Sequence, residues 1–416
     1  AGSVGIGAGA DVLVASHTTL ARVGASADLR TRKDVSVIAS GQEEILSIAA
    51  GLGVGGTVGV AGSTSVIVID NTTEASTGIG SGVDADGTVR IAARDDTETD
   101  VIDGTLAAGF GAAGVGGAVA VVDLSKTTTA GVGAGATVNA RGQGDTRVLA
   151  LDGDSLDSRA AMAGLSIEAD SSEDLFSVSA AGAGGFYAGV SGAVTVTSVD
   201  SDTTALIGSG ALINQGASGS ASQDVNVSAR NRVELAAVTG SLGAGAVGAA
   251  GAVDVGTIRN DTSARIDDGA QVAAARDIQV NALSATDVDS VTVSAAGGLG
   301  GIAGAVAVYS VGSGLSAEQR DQLASDGGDF ADANSYADDQ ATDDSLQSLL
   351  AGSDDARIRD AGDRAQTARN SAGISADLSA AATEGTTTRL GDATLVAGRH
   401  VDMDARQSVS ATLTAG

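Results

Sequence analysis

Apolar and polar residues alternate with a period of two in phrase after phrase of this chain. DVSVIA from Asp34, GTVRIAA from Gly87, DTRVLAL from Asp145, DVNVSA from Asp224, DIQVNA from Asp277 and HVDMDA from His400 share the pattern. It is the signature of strands with one buried face. Between these phrases lie Gly/Ala blocks, among them GLGVGGTVGV from Gly51, GAGGFYAGVSGAVTV from Gly182 and GGLGGIAGAVAV from Gly297. Within GAVAVVD, Val119 and Val121 fall on one side of a strand and Ala118 and Ala120 on the other. The valine side is expected to fill a core. The Gly/Ala side lets another backbone come close, whether a neighbouring sheet, an insert or another chain.

A third phrase, Thr-rich, follows each Gly/Ala block. It ends at Gly24, Gly80, Gly133, Gly208, Asp267 and Gly391, with spacings of 56, 53, 75, 59 and 124 residues. Six units of one design imply stacking, because no single unit can bury a core alone. The predicted fold is all-β, a right-handed parallel β-helix (β-solenoid) with a short α-helical insert. An antiparallel β-sandwich or β-roll array is the alternative. Each unit is expected to supply two or three rungs, with Val/Ile/Leu ladders inside and Asp, Arg, Thr and Ser ladders outside. The long third interval suggests an added rung over residues 153–174. The domain division is residues 1–314 solenoid, 315–371 acidic helical insert and 372–416 solenoid continued.

The insert differs in kind. SAEQRDQL opens like a capping box, with Ser316 and Gln319. Leu346, Leu349 and Leu350 share a helical side, and Asp355–Arg359 and Asp360–Arg364 stand at i,i+4. Two or three short helices are expected there, serving as a cover or a partner-binding feature.

Composition narrows the partners. There are 61 Gly and no Pro, Cys or Trp, with 2 % aromatics. Absent proline suits uninterrupted ladders, and absent cysteine removes disulfides and thiolate-bound zinc. A formal charge of −29 opposes nucleic acid and anionic bilayers as partners. The apolar run Leu106–Val122 is 17 residues long and has no aromatic belt, so it reads as strand rather than membrane span. The opening AGSVGIGAGADVLV has no secretory leader pattern, and the chain reads as a segment of a longer one.

Candidate chemistry is sparse. His17 and His400 are the two histidines and read as surface ladder positions. No nucleophile elbow or phosphate loop is present. The acidic pairs Asp84/Asp86, Asp200/Asp202, Asp402/Asp404, Asp95/Asp96 and Asp338/Asp339 read as solvated charge with weak calcium binding. Paired carboxylates for glycoside cleavage find no aromatic sugar platform. No catalytic, cofactor-binding or metal residue is therefore assigned, no cofactor is expected, and the chain is read as a non-enzyme.

The cadence GGAVAVVDLSKTTTAGVGAGATVNARG followed by DTRVLAL, with the later LSAEQRDQL, resembles the repeats of filamentous-haemagglutinin-like and leukotoxin-type giant bacterial filamentous adhesins. That resemblance implies a secreted or cell-surface β-helical shaft and carries over no catalytic residue. The expected function is a structural segment of an extracellular adhesin or filament, a rigid shaft that self-associates laterally or end to end. The alternatives are a module binding a glycan or host-protein receptor through the insert, and a solenoid polysaccharide-degrading enzyme.

Overall fold

A computed structural model describes residues 3–144, 146–153, 155–215, 219–312 and 385–416. The chain is a parallel β-solenoid, and each sequence unit forms one rung. The first rung is β1 (Val4–Val23), β2 (Asp28–Thr31) and β3 (Val35–Gly55). The second is β4 (Val58–Thr77), β5 (Gly82–Ala85) and β6 (Val89–Gly109). The third is β7 (Ala113–Val132), β8 (Thr137–Ala140) and β10 (Arg159–Gly185), with β9 (Val148–Leu151) inserted before β10. β11 (Ala188–Ile207), β12 (Leu212–Ile213) and β13 (Gln223–Ala244) make the fourth. β14 (Val247–Ile266), β15 (Gln271–Ala274) and β16 (Ile278–Gly297) make the fifth. The sixth is β17 (Gly300–Val311) and β18 (Thr386–Leu390), then β19 (Thr394–Ala397) and β20 (Val401–Ala415). Like strands stack in parallel into a front sheet led by β1, a narrow end sheet led by β2 and a back sheet led by β3.

The expectation of two or three rungs per unit fails because the long strands run some 20 residues without a turn. At about 3.3 Å per residue each spans roughly 65 Å, while six rungs rise only about 25 Å at 4.8 Å per step. The chain is a broad plate. The added rung over residues 153–174 is not formed either. DTRVLAL, which looked like a back-sheet phrase, is β9; it folds back antiparallel on the start of β10, with Leu151 opposite Arg159. The back-sheet strand of this rung starts its register at Leu165, opposite Val89. The proposed helices lie outside the described residues; the described chain leaves the front sheet at Gly312 and rejoins it at Gly385.

The interior changes character across the plate. At the wide end the three sheets enclose an apolar prism of Val, Ile, Leu and Ala, such as Ile91, Val138, Ile167, Ile207, Val227 and Ile266. The front strands turn into it through a left-handed position occupied by Ser26, Gly80, Gly135, Gly210 and Gly269. Next comes a polar spine. The Thr-rich phrases place Thr19, Thr73, Thr128, Thr203, Thr262 and Thr386 in one inward ladder. Threonine ladders were expected outside. They face in because Ala130 and Val132, two and four residues on, are core. Beyond the spine lies a second apolar cluster around Ile67, Leu124, Leu175 and Ile258, then a thin layer of Ser, Thr and Asp.

At the far edge the interior closes on glycine. An ideal Cβ on Gly53 would lie 1.8 Å from the Val60 carbonyl oxygen, and one on Gly114 2.3 Å from that of Gly184. The two sheets there touch backbone to backbone instead of standing about 10 Å apart. What covers the Gly/Ala face is thus the opposing sheet of the same chain. Ala118 and Ala120 point toward the opposing sheet, and on the other face Val121 is buried, as the valine side was expected to be, in an apolar cluster with Val66, Val196 and Val255.

Candidate functional site

The acidic pairs are held by arginines or split between faces. Arg141 lies between Asp84 and Asp86, 3.1 Å from the Asp86 carboxylate. Arg259 stands 3.4 Å from Asp200, and Arg406 2.5 Å from Asp404. Asp95 points inward and Asp96 outward, as strand alternation demands; Asp338/Asp339 lie outside the described residues. Among the described residues no group of three or more His, Asp or Glu could hold a metal. His400 donates its backbone N–H to Asp277 at 3.3 Å. His17 is exposed in the first rung, as expected of a surface ladder position. It pairs with Asn71 and belongs to the inward column that continues through Lys126, Ser201 and Asn260.

The residues 141–162 excursion lies over the outside of the back sheet near the wide end. Arg230 ties it down, donating 3.0 Å to the Leu156 carbonyl and pairing with Asp170 at 2.6 Å. Glu168, fully buried beneath it, faces Arg90 and Arg159 at 3.4 Å each. A shallow cleft beside it, about 340 Å³, is lined by Arg94, Asp96, Asp170, Ser172 and Arg230. Arg230 is paired with Asp170 and Arg94 stands 3.9 Å from Glu168, which leaves little concentrated field for a charged ligand.

The largest unpaired feature is the thin edge, an apolar flange. Because inward positions there are Gly and Ala, outward positions carry the bulk. On the front sheet Ile6, Val60, Val115, Val190, Ala249 and Ile302 form one outward ladder. On the back sheet Ile48, Ile102, Val178, Val238 and Val291 form another. Leu52, Leu106 and Leu242 lie two outward positions nearer the rim, and Leu106 leans across Gly182. The rim turns add Phe110, Phe186, Tyr187 and Leu299, exposed by 73, 68, 62 and 98 %. Phe186 and Tyr187 stack edge to face, with ring centroids 5.1 Å apart. Sequence reading missed this surface. Its signal was present: in the Gly/Ala blocks every second residue is bulky, and glycine on the other side marks that bulk as outward.

Just inside the flange, burial pushes the Asp103 carboxyl up to about 7, and the hydrogen bond from the Val119 N–H at 2.9 Å opposes the shift. Burial likewise pushes Asp254 up to about 6, against hydrogen bonds from Ser290 and Tyr309. The Tyr309 ring occupies the space over Gly256, and its hydroxyl donates to Asp254 at 3.0 Å. Among the described residues no helix is long and apolar enough to cross a membrane. No family model, curated protein or solved structure matches the chain.

Proposed function

We propose that the chain is a non-catalytic structural segment of an extracellular or cell-surface bacterial adhesin or filament, and that it associates side by side through the apolar flange. The observation that carries this reading is the flange itself. Apart from Thr64 and Thr414, the outward positions over Val4–Ala10, Ile48–Val54 and their ladder partners are Val, Ile, Leu, Ala or Gly. In a chain of charge −29, that uncharged double face is where two copies meet with least repulsion. Contiguous exposed apolar surface on this scale marks an interaction site.

Rung width bears on what the segment is for. A solenoid with short rungs of about 20 residues would gain more than twice the length from the same chain. Rungs of about 55 residues spend sequence on area, which favours presenting and pairing broad faces over reach alone. Sedimentation velocity over a range of concentrations tests the reading. The wild-type chain is expected to associate, and Leu106→Lys with Leu242→Lys to sediment as a monomer with unchanged strand content. Association equal to wild type in the double variant, or a strictly monomeric wild type, contradicts it.

A further inference from the structure

Midway along the polar spine sits a charged cluster that neither the fold nor the flange requires. Lys126 of β7 is the largest fully buried side chain among the described residues. It crosses the interior from the front sheet to the back sheet. Its Nζ donates to the carbonyl oxygens of Asp95 at 3.0 Å and Ser172 at 2.9 Å. It also lies 2.9 Å from Asp95 Oδ1 and 3.3 Å from Glu173 Oε1, and both carboxylates are buried to within 1 %. Asp95 Oδ2 accepts from Thr73 Oγ1 at 2.5 Å. Glu173 Oε1 accepts from Ser171 at 2.5 Å and Ser201 at 2.9 Å. Asp95 Oδ1 and Glu173 Oε2 are buried without a hydrogen-bond partner. The amine therefore stands against Oδ1 at contact distance without the alignment of a hydrogen bond.

An amine and a carboxyl group are held together here out of water, with Nζ 2.9 Å from Oδ1, an oxygen on the carbon it would attack. Groups fixed in productive contact reach effective concentrations of about 10⁵ M or more. A desolvated lysine amine is a competent nucleophile. We infer that Lys126 and Asp95 condense to an intramolecular amide, an isopeptide bond bridging β7 and β6, with Glu173 as the proton carrier.

One proton first passes from the ammonium to Asp95. The Nζ lone pair then attacks Asp95 Cγ and the Nζ–Cγ bond forms. Glu173, whose Oε1 lies 3.3 Å from Nζ, takes a proton from Nζ and delivers it to the departing hydroxyl. The Cγ–O bond breaks, water leaves, and Glu173 ends as the carboxylate it began as. Amine plus carboxylic acid gives amide plus water; nothing is oxidised or reduced and no co-reactant is needed. Asp95 is the acceptor because its near oxygen is unpaired and closer, whereas Glu173 Oε1 already takes two serine hydroxyls. The bond would tie front to back sheet where the described chain otherwise joins these strands only at the flange turn after Gly109.

The test is the mass of the full 416-residue chain. Denatured wild-type protein is expected to weigh one water less than its sequence. Trypsin should fail at Lys126, leaving Asp95–Arg141 as one fragment with fragmentation spectra linking Asp95 to Lys126. Water loss at the Asp103–Gly104 step would leave Lys126 cleavable, so blocked cleavage is the deciding signal. Glu173→Gln keeps the side-chain shape and is expected to restore both the full mass and cleavage at Lys126. A wild-type chain of full mass that is cut at Lys126 overturns the proposal, as does a link to Glu173 instead of Asp95. An unchanged bond in Glu173→Gln overturns the role given to Glu173.

Discussion

The two ends of each rung solve the same packing problem in opposite ways. At the wide end, β6 and β10 fill the interior with Val89, Ile91, Leu165 and Ile167, and their outward neighbours include Arg90, Ser166 and Glu168. At the flange the same strands turn glycine and alanine inward and Leu106, Val178 and Ala180 outward. The wide end is stabilised by burying side chains, at about 25 cal/mol per Å². The flange is held by backbone in contact with backbone and leaves its apolar surface outside. One continuous strand is thus self-sufficient at one end and unfinished at the other, and the unfinished end is where a partner gains most.

That contrast can be broken from either side. Ile167→Ala in the prism removes buried methylenes from a rigid site and should cost about 2–5 kcal/mol in chemical denaturation. The layer between the ends predicts an unusual pH response. Asp103 and Asp254 have folded-state pKa values raised to about 7 and about 6. The folded chain therefore holds protons there that the unfolded chain releases near its ordinary carboxylate range. Their stabilising contribution is complete at acid pH and is lost as pH rises through about 6–7, up to about 4 kcal/mol for Asp103 at about 1.4 kcal/mol per unit. Asp103→Asn should flatten the fall in stability between about pH 4 and pH 7; an equally steep fall in that variant would place the carboxyl in water. Glutamate and aspartate paired to arginine, Glu74 and Asp277, have lowered values and act in the opposite sense at lower pH.

Glycine substitution along β7 sharpens the comparison further. Gly114→Ala drives a Cβ into the Gly184 backbone and should cost about 1–3 kcal/mol. Gly117→Ala, three residues on and facing out with nothing within 4 Å, should be neutral or stabilise by up to about 1 kcal/mol. Equal effects at the two positions would mean that the sheets are not in contact at the flange.

Sequence pattern made some of this legible and hid the rest for definite reasons. Period-two phrases located most back-sheet strands: DVSVIA became the start of β3 and DIQVNA that of β16. DTRVLAL misled because β9 alternates like a back-sheet strand yet pairs with β10 antiparallel. In GAVAVVD the valine side was read as core-filling; Val121 is buried, but in a cluster with Val66, Val196 and Val255 on the face away from the opposing sheet. Lys126 was invisible because a lysine in a Thr-rich phrase reads as surface. Counting back in twos from the core residues Val132, Ala130 and Thr128 would have placed it inward. Partner columns also decide Asp95 and Glu173, and these become visible only once β6 and β10 are in register, with Asp95 beside Ser171.

The central claim is that the flange is the associating edge. Cryo-electron microscopy of the purified chain tests it most directly, through averages viewed down the solenoid axis. The account predicts wedge-shaped sections, wide at the prism and thin at the flange, paired with their thin edges in contact. Single wedges at every concentration, or pairs joined through their wide ends, would contradict it.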